Sequence, residues 1–75
     1  MDHTYILWRD FVKVFVEDKV ERHGGVRELA RQYKISPSVV SKMKNGKYVP
    51  TPKTFFKMFP SARYLRVETF VIMND

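Results

Sequence analysis

Gly24-Gly25, Ser36-Pro37, Asn45-Gly46, Thr51-Pro52 and Pro60 cut this chain into short pieces. Each break has a defined backbone consequence. Glycine readily takes the left-handed conformation at which helices stop. Serine and threonine are preferred N-caps, and a proline behind them suits the first helical turn, where its missing N–H would have no partner anyway. Helices as short as these are marginal alone, so the pieces must share a core. With 75 residues, there is room for one domain.

Between the breaks, hydrophobic spacing assigns the elements. Residues 5–22 predict a long first helix with Thr4 as N-cap. Trp8, Phe11, Val12, Phe15 and Val16 recur at helical spacing and charged residues fill much of the rest. The run Phe-Val-Lys-Val-Phe-Val also has strand character, but the charged continuation Glu17-Asp18-Lys19 favours helix. A second helix spans residues 26–33. A third runs from Ser36-Pro37 to Lys44 and is stopped by Asn45-Gly46. A fourth runs from Thr51-Pro52 to Phe59, closed by Pro60. The tail, residues 64–73, differs: Val67, Thr69, Phe70, Val71 and Ile72 favour a strand.

Several function classes are disfavoured. There is no cysteine, and His3 and His23 are far apart without a nearby ligand pair, so no metal or other cofactor is expected. No carboxylate pair, nucleophile with a base, or glycine-rich phosphate loop appears, and an enzyme is not expected. No small-molecule effector site is evident. The N-terminus has an acid where a signal peptide would carry a basic region, and Arg9 and Asp10 break its apolar stretch. No apolar run approaches the roughly 18 residues of a membrane span. A cytoplasmic protein is expected.

The net charge of +6 is unevenly placed. Residues 1–23 balance at −1 and residues 58–75 at zero. Residues 24–57 carry Arg27, Arg31, Lys34, Lys42, Lys44, Lys47, Lys53 and Lys57 against Glu28 alone, a balance of +7. A solvated face usually mixes signs, whereas a block of one sign points to a polyanion.

The same block contains VRELARQYKISPSVVSKMKNG, residues 26–46: two short helices joined by the tight turn Lys34-Ile35-Ser36. For two such helices to press together at a steep angle, one contact needs a small side chain, and Ala30 supplies it. Leu29, Tyr33 and Ile35 face inward from the first helix of the pair and the turn. Val40 and Met43 face inward from the second. Pro37, Ser38, Ser41, Lys42 and Asn45 remain outward, and these small or basic residues suit the major groove.

This stretch resembles the helix-turn-helix of phage repressor and Cro proteins and their bacterial relatives. The resemblance lies in Leu29-Ala30, Ile35-Ser36, Val40, Met43 and the closing Asn45-Gly46, and extends more loosely to the first and fourth helices. It implies a compact helical bundle that binds operator DNA as a dimer, and a phage or plasmid setting. The family's turn usually has glycine where this chain has Lys34. A left-handed lysine costs roughly 1–2 kcal/mol, so either the turn carries lysine in regular geometry or its geometry differs.

The expected fold is therefore mainly α: a four-helix helix-turn-helix domain over residues 1–60, with a C-terminal β-strand in residues 61–75 pairing across a dimer. The expected function is sequence-specific binding of double-stranded DNA by a transcriptional regulator. Repression is the expected mode, by analogy with small readers that lack an effector domain. Helix 36–44 enters the groove. Lys42 and Ser38 lie one turn apart on the same face and can read base edges together; Pro37, Val39 and Ser41 complete the candidate base-reading set. Arg27, Ser36, Lys44, Lys47 and Lys53 are the candidate backbone contacts. Arg31 and Lys34 complete the basic field, and Tyr48 is expected to cover the core.

A lone strand is not stable, because its backbone groups need partners. Self-pairing of the tail across a two-fold axis supplies them, with Leu65, Val67, Phe70 and Val71 at the interface. The competing arrangements are a fifth helix that dimerises and a strand that pairs with the N-terminus. Two other functions compete. One is a protein-interaction module, an antitoxin or anti-repressor whose basic face meets an acidic protein. The other is RNA binding, against which the aromatics argue by falling on helical core spacing rather than across a sheet.

Overall fold

A computed structural model describes residues 4–64 and 70–73, with side chains described over 7–62. The chain runs β1 (Thr4–Leu7), α1 (Trp8–Arg22), α2 (Val26–Tyr33), α3 (Pro37–Lys44), α4 (Pro52–Met58), a 3-10 turn (Pro60–Tyr64) and β2 (Phe70–Met73). The described fold is mainly helical. None of its helices is long and apolar enough to cross a membrane.

Both ends depart from the sequence expectation. α1 starts at Trp8, its N-cap is Leu7 in extended conformation, and no side chain caps it. Thr4 is therefore not the cap; Thr4–Leu7 is extended. The reason is tertiary: Tyr5 and Ile6 are good strand formers, and the chain supplies them with a partner. That partner is Phe70–Met73, in parallel register with Thr4 opposite Phe70 and Tyr5 opposite Val71. The expected strand over residues 64–73 is not seen at that length. Tyr64 ends the 3-10 turn, and Leu65 and Val67 lie outside the described residues. Phe70 and Val71, expected to pair with a second copy, pair within the chain. Intramolecular pairing avoids the entropy of association that a dimer must overcome.

The helical core follows the spacing of the sequence. Val12 and Val16 of α1, Leu29 of α2, Val40 and Met43 of α3, and Phe55 and Phe59 beside them have no exposed surface. Phe15, Val26, Tyr33, Ile35, Val39, Phe56 and Met58 pack partly buried around this cluster. Offset and edge-on aromatic contacts join the two ends of the bundle. The Phe15 and Phe55 ring centroids are 5.3 Å apart, and those of Tyr33 and Phe59 are 4.9 Å apart. Such pairs stabilise by about 0.5–1.5 kcal/mol beyond their area burial. Trp8 donates its indole Nε1–H to the carbonyl of Pro50 at 2.7 Å, in a buried bond between the start of α1 and the entry to α4. No buried side-chain nitrogen or oxygen lacks a partner among the described residues.

Candidate nucleic-acid interface

The motif is framed by two backbone reversals. At the first, Gly24 has φ 86° and Gly25 φ 138°, a region L side chains rarely adopt. The Gly25 N–H closes α1 by donating to the Val20 carbonyl at 2.9 Å, and the Gly25 carbonyl opens α2 by accepting from Leu29 N–H at 3.1 Å. α2 then lies against α3, and its buried residues are Leu29 and Ala30, with Ala30 only 1% exposed. The second reversal is the turn between the motif helices. Lys34 has φ 57° and ψ 44°, the left-handed conformation, and Ile35 N–H donates to the Ala30 carbonyl at 2.9 Å. The turn therefore keeps the geometry that glycine would provide and carries lysine in it.

Ser36, extended, caps α3: its Oγ accepts from Ser38 N–H at 3.2 Å, and Pro37 follows in the first turn. The Ser36 hydroxyl is thus engaged as an acceptor while its proton remains available to donate. Along α3, burial sorts the candidate readers. Pro37, Ser38 and Lys42 are exposed. Ser41 is half-buried, and its Oγ accepts from the exposed Asn45 amide at 3.5 Å. Val39 is half-buried and packs on the core. Val40 and Met43 are fully buried.

Beyond α3 the chain folds back on the helix end. The Lys42 carbonyl accepts two N–H groups, from Lys47 at 2.7 Å and Tyr48 at 3.2 Å, and Gly46 N–H donates to Met43. Gly46 allows this reversal with φ 75°. Lys47 is exposed and Lys44 half-buried. Tyr48 does not cover the core as expected. It is 37% exposed, and its neighbour Val49 is 40% exposed. Arg27 on α2 is exposed, as is Lys53 in the first turn of α4, where Thr51 Oγ1 accepts from Thr54 N–H.

The charge of this face is little offset. Glu28, the single acid of residues 24–57, is engaged by Arg31 one turn along α2. The other described helix pair, Asp18 with Arg22 at 2.7 Å, lies on α1. Lys34, Lys42, Lys44, Lys47 and Lys53 form no ion pair among the described residues. The structure also brings in a residue the sequence reading left aside. Lys13 of α1 is exposed, and its Cδ stands 3.9 Å from where a Cβ on Gly46 would be. Its position in a segment of net negative charge hid it. Comparison of the chain with protein-family models, curated proteins and solved structures finds no match.

Proposed function

We propose that this protein is a sequence-specific reader of double-stranded DNA that places α3 in the major groove and acts as a transcriptional repressor. The observation that carries it is the division of α3. Val40 and Met43 are fully buried while Pro37, Ser38 and Lys42 stand exposed, within a segment of balance +7 whose one acid is already paired. Lys42 donates to guanine O6 and N7, and Ser38, one turn earlier, pairs with a neighbouring base. Pro37 and Ser41 line the same face, and Val39 holds it on the core. Arg27, Ser36, Lys44, Lys47 and Lys53 fix register on the phosphates. The base-reading residues sit on α3, which Ser36 caps, so little ordering of that helix remains to be done on binding.

The working unit is a homodimer on a palindromic operator. The β1–β2 sheet has two strands, and each offers an outer edge of backbone donors and acceptors to which a second copy can add. One observation favours a second reading, a protein partner: Tyr48 and Val49 are exposed apolar side chains beside the basic face. They lie off α3, whose own exposed residues are small, polar or basic.

Selection of bound sequences from random duplex DNA tests both. The expected result is a two-fold symmetric motif with half-sites about one turn, roughly 34 Å, apart. Absence of any enriched sequence removes the sequence-specific reading, and an enriched single half-site removes the symmetric dimer.

A further inference from the structure

Resting on the duplex-binding reading above, we propose that Lys13 is a phosphate-binding residue, forming with Lys44 and Lys47 one three-lysine anion site around Gly46. The three come from three places in the chain: α1, the last residue of α3, and the loop beyond it. The Lys13 stem reaches the bare backbone of Gly46, with its Cδ 3.9 Å from the absent Cβ. Its ammonium is two bonds beyond that carbon, and Gly46 directly precedes Lys47. The loop that carries Lys47 is held in place by the two N–H groups donated to the Lys42 carbonyl.

The choice of neighbour is informative. Asp10 and Glu17 stand three residues before and four after Lys13, at ion-pairing spacing on a helix. Lys13 forms an ion pair with neither. Its stem lies instead against Gly46, in the loop between Lys44 and Lys47. Gathering like charges destabilises a compact chain through self-repulsion, and the same field concentrates a polyanion. The ligand chemistry that matches three exposed or half-buried ammonium groups without an acid partner is the phosphodiester backbone. Lys13 would then extend the contact from the motif to α1.

The test is Lys13→Gln in the full chain, titrated with a duplex across a salt series. The expected result is a loss of up to about tenfold at 0.1 M salt, similar on selected and random duplexes, with a salt slope shallower by about one. Lys13→Arg should retain affinity. Arg22→Gln is the charge control. It removes a cation from the same helix nine residues on, about 13.5 Å away, and should leave binding unchanged. The proposal is overturned if Lys13→Gln matches Arg22→Gln, or if Lys13→Arg weakens binding as much as glutamine does. If the unaltered chain shows no salt-dependent duplex binding, the function proposed above fails and this site with it.

Discussion

Lys34 adopts φ 57° and ψ 44°, a left-handed conformation that is strained by roughly 1–2 kcal/mol in an L residue. Glycine would relieve that strain but give up about 0.5–1 kcal/mol in chain entropy. Lys34→Gly should therefore change stability by about 0 to +1.5 kcal/mol, read as an equal or higher urea midpoint at unchanged slope. A lower midpoint would mean that the lysine side chain contributes more than its backbone strain removes. The sequence marked Lys34 as a departure from the family's turn, but it could not choose between tolerated strain and altered geometry. The left-handed choice lets Ile35 N–H close α2 on the Ala30 carbonyl, a local capping bond. The exposed lysines divide differently. Lys42, on the free face of α3, should lose roughly 1–3 kcal/mol on substitution by alanine and relax preference at one base pair. Lys47→Ala should weaken all duplexes alike and make the salt slope shallower by about one. Equal losses from both variants on selected and random duplexes would move Lys42 to the phosphate class.

The elements were most legible where a local signal also satisfied the backbone. Ser36-Pro37 and Thr51-Pro52 place helix starts, and their hydroxyls accept N–H bonds from Ser38 and Thr54. Gly24-Gly25 and Asn45-Gly46 place the stops, with positive φ at each glycine. The start of α1 was not legible. Residues 4–7 suit either helix or strand on local grounds, and a partner distant in sequence decided the matter. The burial of Ala30, expected as the small side chain between α2 and α3, was legible: it is 1% exposed. Ala30→Leu should separate the two helices and cost typically 1–3 kcal/mol, a large share of the stability of so small a domain. Melting temperature and duplex affinity should fall together. Unchanged values for both would mean that the contact admits a larger side chain.

At the scale of the whole molecule, the core and the basic face are complementary consequences of one pattern. Apolar spacing in residues 8–59 closes the bundle, and the cations between those positions are left outside it. The uneven charge was visible in the sequence because it depends only on counting. The approach of Lys13 to Gly46 and the exposure of Tyr48 were not, because each depends on how separate segments meet. The proposed function makes the charge its main source of affinity. A titration of duplex DNA at several salt concentrations tests that most directly. With about five or six phosphates neutralised per subunit, log K should fall with log salt at a slope of about −5 per subunit. A response that stays flat across the series would contradict duplex binding by this face.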